Sequence, residues 1–483
     1  MKGTEQAMAD RERMSSVDTA WLRMERPTNP MMITGVLVFE RPMEYARLRE
    51  TIETRFLCYR RFRQKAVEKI GGAYWEDDDT FDLDSHLHRI ALPGDGGKTE
   101  LQALASDLMS TPLDFSKPLW QFHLVEHYRG GSALIIRIHH CYADGIALIC
   151  VLLAMTDSEP DTALPEIELT GAGQDEDEIL ARLFRPVNRM VGGALRLGKG
   201  LIDESLELLC NPGQLLKYAR YGSGIAGEAA RVALMADDAP TRFKGVPGMV
   251  KRVAWAEPLP LDEIKTVGRA LGCSVNDILL SCVAGALRSY LLEHGDAVDG
   301  VELRAAVPVN LRPLEEAHRL GNHFGLVFLE LPVGMAHPVE RLFEVRRRMQ
   351  TLKGSYQAVL ALGLLGAVGM GPRLLQQAVL DTLGSKATAV MTNVPGPQHE
   401  LYLAGARIAE MMFWVPQSGN IGMGVSILSY NGRVQFGLVT DKRLVPDPET
   451  VIGRFAGEFE RLVLALLMAA WDGEMPADAI DRA

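Results

Sequence analysis

Residues Ile135-Ile136-Arg137-Ile138-His139-His140-Cys141-Tyr142-Ala143-Asp144-Gly145-Ile146-Ala147-Leu148 decide how the chain reads. The apolar, branched run before the two histidines has the character of a buried strand. Asp144-Gly145 is a turn signal, and the apolar run from Ile146 to Met155 fits a helix packed on both sides. A histidine pair therefore sits where a buried strand gives way to a helix. Side chains alternate along a strand, so His139 and His140 are expected to point to opposite faces. One can face a cavity while the other is held in the protein. Asp144 lies one tight turn away, where a carboxylate can orient its neighbours. The alternatives are a purely structural pair and a metal site. Divergent side chains, with no further His/Cys/Asp cluster at ligand spacing, argue against the metal.

The rest of the chain supplies the setting. At 483 residues there is material for two or three domains. A hydrophobic content of 47% with 23% charged residues suits a globular protein with a large core. Fifty-one Lys and Arg against 62 Asp and Glu give a net charge of −11, which argues against nucleic acid as the main partner. The six cysteines (58, 141, 150, 210, 273 and 282) form no C-x-x-C pair, and reduced thiols in a cytosolic protein are the simplest account. Met1 to Ser16 is charged and lacks an apolar signal-peptide core.

Taken in order, strands and helices alternate up to the histidine motif: a strand over Ile33–Phe39, a helix over Tyr45–Phe56, and a strand over Gln121–Glu126. A Gly130-Gly131 hairpin then leads into the histidine strand. This is an α/β half, assigned to residues 1–156. Residues 157–245 begin as an acidic, Pro- and Gly-rich linker and continue as helical stretches, a natural crossover. Residues 246–483 form a second α/β half. In it a helix over Leu261–Leu271 ends at Gly272, and Ser274 is a candidate N-cap for a helix over Ile278–Leu292. The basic Tyr59-Arg60-Arg61-Phe62-Arg63 stretch could meet a phosphate, or could be a solvated face with ion pairs. Residues 354–372 carry no charge, but their glycines suit close packing, and a buried or interfacial helix fits better than a membrane span.

His139-His140-x-x-x-Asp144-Gly145 resembles the active-site motif of the CoA-dependent acyltransferase superfamily, to which chloramphenicol acetyltransferase and peptide-synthetase condensation domains belong. Four further stretches occur in the same order as in one branch, the bacterial wax ester synthase/diacylglycerol acyltransferases. They are Pro118-Leu119-Trp120, Asn276-Asp277, Pro308-Val309-Asn310-Leu311-Arg312-Pro313 and Asn393-Val394-Pro395-Gly396-Pro397. The resemblance runs from about Asp18 to Thr440. Cys141-Tyr142-Ala143 departs from it mildly, since the family often has small or polar residues there.

The resemblance implies two chloramphenicol-acetyltransferase-like halves with a substrate tunnel between them. It implies His140 as the base that takes a proton from the acceptor, with His139, Asp144 and Gly145 completing the motif. A neutral imidazole suits that task near neutral pH. Asn276 is a candidate donor to the developing oxyanion, or simply part of a helix cap. Asn393, Pro395 and Gly396 would shape the substrate-binding backbone, or form an ordinary turn. No cofactor or metal is implied, acyl-CoA being a substrate. The expected partners are fatty acyl-CoA, diacylglycerol or a long-chain alcohol, and peripherally the inner face of a membrane or a lipid inclusion. The competing readings are a condensation-like transferase fed by a carrier-protein thioester, and a non-catalytic lipid-binding protein of the same fold.

Overall fold

The computed structural model describes residues 11–69, 72–160, 234–312, 320–353, 357–370 and 373–468. Most of the expected crossover, 161–233, lies outside the described residues. The first half contains α1 (Ser16–Met24), β1 (Met32–Phe39), β2 (Leu87–Ile90), β3 (Trp120–Tyr128), β4 (Gly131–His139), α2 (Gly145–Met155) and β5 (Thr156–Asp157). The second contains β6 (Lys251–Trp255), β7 (Leu259–Pro260), α3 (Val275–Glu293), β8 (Leu303–Asn310), β9 (Phe324–Leu331) and α4 (Gln357–Met370). It continues with β10 (Ala389–Pro395), β11 (Tyr402–Leu403), β12 (Ala406–Trp414), β13 (Met423–Tyr430), β14 (Arg433–Asp441) and α5 (Pro448–Met468).

Two seven-stranded sheets carry the architecture. In the first, the order is β2-β3-β4-β1-β12-β11-β5; in the second it is β7-β14-β13-β10-β8-β9, with β6 also paired to β14. The expected boundary at residue 246 is thus crossed. β11 and β12 come from the C-terminal half of the chain, yet β12 runs antiparallel to β1, with Trp414 opposite Thr34. A strand's own residues specify its faces but not which sheet receives its edge, so local pattern could not have revealed this exchange.

The histidine strand is a central one. Every residue of β4 is buried. One face packs with Leu37, Phe122, Leu134 and Ile136, and the other with Val36, Ala133, Ile135 and Trp414. The turn into it is Arg129-Gly130, both at positive φ (50° and 82°), in place of the expected Gly130-Gly131. Ala404-Gly405 and Asn431-Gly432 repeat that two-residue geometry, whose twist matches the flanking strands.

The described part of the uncharged 354–372 stretch, Gln357–Met370, is α4, which lies on α1 and β9. Gly369 has no room for a side chain because the Ser16 carbonyl lies against it, so this glycine serves helix packing. Leu364 and Met370 remain exposed. Among the described helices, only α3 is long and apolar enough to cross a membrane, and it is mostly buried in the second core. Arg60 and Arg61 of the basic stretch pair with Asp77 and Glu12.

Candidate active site

The two histidines have separate surroundings. His139 is the last residue of β4, and its Nδ1 accepts the Cys141 N–H (3.1 Å). That acceptor role leaves the proton on Nε2, which lies 3.4 Å from the Glu25 carboxylate. Glu25 also accepts the Met31 N–H. His140 begins the turn, anchored by its N–H to the Met31 carbonyl (2.7 Å). Its ring stacks on Trp21 of α1, with centroids 4.0 Å apart and planes 10° apart. Phe324, from the start of β9, lies beside it at 5.6 Å. His140 is therefore the histidine that meets the second half of the chain.

The second half holds the motif through three residues. Asp144 is the N-cap of α2, accepting the Ala147 N–H (2.9 Å), and its other oxygen accepts the His323 N–H (3.0 Å). The same oxygen lies 3.3 Å from Arg312, with both side chains buried. Arg312 also donates to the Gly321 carbonyl (2.7 Å). Gly321 takes φ +107°, a conformation that side chains resist, and its N–H reaches the Tyr142 carbonyl. Next to it, the Asn322 amide donates both to the His140 carbonyl and to the Asp18 carboxylate (2.8 Å each). The histidine turn is clamped across the two halves.

Burial governs the chemistry of His140. It pushes the imidazole down to about 4, so the ring is neutral at physiological pH. Nδ1 makes no hydrogen bond of full geometry. Its own carbonyl, the charge of Asp144 and the Asn322 amide nevertheless act in the opposite direction, favouring the imidazolium. The indole face of Trp21 favours it too. Burial outweighs these groups, so the base is unprotonated at rest, and they offset part of the cost of the charge it gains on taking a proton. Asp18, buried behind Asn322, has its carboxyl raised by burial.

Cys141 and Tyr142 are buried and point into the first core. The Tyr142 hydroxyl donates to the Gln64 carbonyl (2.7 Å) and accepts the Leu119 N–H (3.0 Å). The His139 N–H in turn reaches the Leu119 carbonyl (2.9 Å). The Pro118-Leu119-Trp120 stretch is thus a brace for the histidine turn. Gly145 opens α2, and no atom lies within 4 Å of where its Cβ would be.

The Asn276-Asp277 pair divides its work. Asp277 forms a capping box with Ser274 (2.9 and 3.2 Å), as a simple helix start would. Asn276 instead accepts from the Asn393 amide, which brings two of the expected site residues together. That bond occupies the Asn276 carbonyl and leaves its NH2 as a donor. Neither residue touches His140 among the described contacts. Pro395 ends β10, and the Gly396 N–H donates to the Ser429 carbonyl (2.8 Å), a close backbone approach in the second sheet.

Trp21, Glu25, Asp18 and Asn322 were not expected from sequence. The Gly321-Asn322-His323-Phe324-Gly325 run, a polar pair bracketed by glycines before a strand, was the one available signal for Asn322. Among the described residues no group of three or more His, Cys, Asp and Glu side chains could hold a metal ion.

Two sheet-rich halves with a histidine turn clamped between them define an acyltransferase-type fold. Residues 14–279 match the profile of the wax ester synthase/diacylglycerol acyltransferase catalytic domain, and residues 320–463 match the C-terminal domain of that family. The chain belongs to this family and is an acyltransferase. A Mycobacterium tuberculosis protein named as a diacylglycerol O-acyltransferase is 28% identical, over 90% of this chain and 87% of its own. A Mycobacterium bovis protein with the same activity in its name is 29% identical, over 93% and 98%. Among solved structures, the wax ester synthase/diacylglycerol acyltransferase of Marinobacter aquaeolei superposes with a TM-score of 0.65 at 21% identity, covering 93% of this chain and 98% of that one. The first condensation domain of the calcium-dependent antibiotic synthetase gives 0.59 at 15%, covering 95% and 97%.

Proposed function

We propose that the protein transfers a long-chain fatty acyl group from acyl-CoA to diacylglycerol or a fatty alcohol, with His140 as general base. The observation that carries this reading is the buried, neutral His140, stacked on Trp21 and held from the second half by Asn322. In the reaction, the acceptor hydroxyl gives its proton to His140 as its oxygen attacks the thioester carbonyl. The tetrahedral intermediate then expels the CoA sulfur, which takes the proton back from the imidazolium. No bond to the enzyme forms. Acyl-CoA and acceptor would reach His140 from opposite ends of a passage between the halves. Mixing the protein with palmitoyl-CoA and either dioleoylglycerol or hexadecanol should release free CoA and give the matching ester on a thin-layer plate. Thioester hydrolysis without ester, with either acceptor, would overturn the reading.

Asn276 is the proposed oxyanion donor, its amide orientation set by Asn393. Asn276→Ala should lower turnover by about 10²-fold, the order expected for one such donor, while acyl-CoA affinity changes little. A variant that keeps wild-type turnover but melts earlier would leave Asn276 a helix-start residue only.

The lipid acceptor also motivates a peripheral, cytoplasmic-face association with membranes or lipid inclusions. Carbonate washing of a membrane fraction should release the protein.

A further inference from the structure

The loop before β6, Gly245-Val246-Pro247-Gly248-Met249-Val250, turns its apolar side chains outward. Val246 is 74% exposed, Met249 60% and Val250 43%. The loop is not loose packing, because the 441–445 turn supports it from beneath. A Cβ on Gly245 would lie 2.7 Å from a Leu444 methyl, and one on Gly248 would lie 2.6 Å from Arg443 Cδ. The Lys442 N–H donates to the Val250 carbonyl (2.9 Å). The apolar tip is therefore held out by its own scaffold. Single exposed apolar side chains are ordinary, but three within five residues on a supported loop are not.

Charge adds to the same place. Lys442 and Arg443 are exposed, and Arg252 follows the loop on β6. Among the described residues none of these three makes an ion pair, and they stand together around the loop. In a chain of net charge −11, three unpaired cations around an apolar tip form a local positive field. Apolar side chains beside cations match the headgroup and acyl layers of an anionic membrane surface.

We infer that the 245–250 loop, with Arg252, Lys442 and Arg443, is the surface by which the protein sits on an anionic lipid layer. Its place in the fold gives the contact a purpose, which rests on the lipid-acceptor reading above. Lys251, the next residue, donates its N–H to Ser110 (2.8 Å) and lines a cleft with Met32, Thr34, Met109 and Gln417. Met32 stands directly opposite His139 in the first sheet. The loop thus leads directly into the strand whose first residue, Lys251, borders this small cleft beside the first sheet.

The test uses the full chain and sedimentation with phosphatidylcholine vesicles, with and without phosphatidylglycerol. Wild type should sediment with the anionic vesicles and be released as salt rises. Val246→Asp/Met249→Asp and Lys442→Glu/Arg443→Glu should each weaken binding by about tenfold or more, at unchanged melting temperature. Transfer to diacylglycerol held in vesicles should fall in parallel, while transfer to a short, water-soluble alcohol should not. Wild type that fails to sediment, or double variants that sediment like wild type, would overturn the inference. Wild type that esterifies neither diacylglycerol nor the soluble alcohol would instead count against the acyltransfer reading, with sedimentation still deciding the surface.

Discussion

A folded His140→Ala protein should bind acyl-CoA and transfer its acyl group about 10²–10⁴ times more slowly than wild type, the usual worth of a positioned base. Among the described residues the side chain meets Trp21, Phe324 and Asn322, so its removal leaves a small gap but takes no ion-pair partner from a buried charge. His139→Ala makes the contrast. It removes the partner of Glu25 and the acceptor of the Cys141 N–H, so it should lower the melting temperature more than the rate. Rate and melting temperature measured side by side decide the matter. Near-wild-type transfer by a folded His140→Ala protein removes the base from the mechanism. The pH profile supplies an independent check. With its folded value near 4, His140 stays neutral well below pH 6.5, so kcat/KM should hold through mildly acidic pH and fall only as the pH nears 4. Stability carries the matching sign. Between 6.5 and about 4 the unfolded histidine binds a proton that the folded one refuses, so this residue's contribution favours unfolding increasingly as the pH drops.

Asp144→Ala should destabilise the protein by about 3–5 kcal/mol, the range seen when one member of a buried ion pair is removed. Three losses coincide: the cap of α2, the acceptor for the His323 N–H, and a buried carboxylate beside Arg312. Asp144→Asn separates them, since asparagine caps helices as well as aspartate does. It should recover only about 1 kcal/mol, because the Asp144 charge beside Arg312 is still lost. Transfer should fall in proportion to the loosening of the turn, less than in His140→Ala. An Asp144→Ala protein that melts like wild type yet has lost transfer would place the carboxylate in the proton path instead.

Local chemistry was legible in the sequence wherever neighbours along the chain decide the outcome. The α2 start at Asp144-Gly145, the Ser274 cap and the Gly272 stop, which adopts φ +63°, are such cases. The two histidines do have different surroundings, but His140 stands in the turn past the end of β4, so strand alternation alone does not set them apart. What stayed hidden was contributed from far along the chain. Trp21 lies more than a hundred residues before His140, and Asn322 and Arg312 lie far beyond it. Arg312 stood inside a recognised stretch, yet nothing in Pro308-Val309-Asn310-Leu311-Arg312-Pro313 names Asp144 as its partner. The Asn276-Asp277 pair shows the same limit. Spacing from Ser274 explains Asp277, but only tertiary packing of the α3 start beside β10 brings Asn393 to Asn276.

The seating of Ala406–Trp414 beside Met32–Phe39 has a consequence for how the protein is made. During synthesis, the Met32–Phe39 strand emerges early and pairs with the histidine strand on one side only. Its other edge, all of it apolar or small apart from Thr34, must wait for a partner encoded near the far end of the message. At about 5–20 residues per second that wait lasts tens of seconds. An open edge of this kind invites pairing with another nascent chain. The ribosome-bound N-terminal half is therefore a natural client for chaperones, and slow translation through the middle of the message would lengthen the exposure.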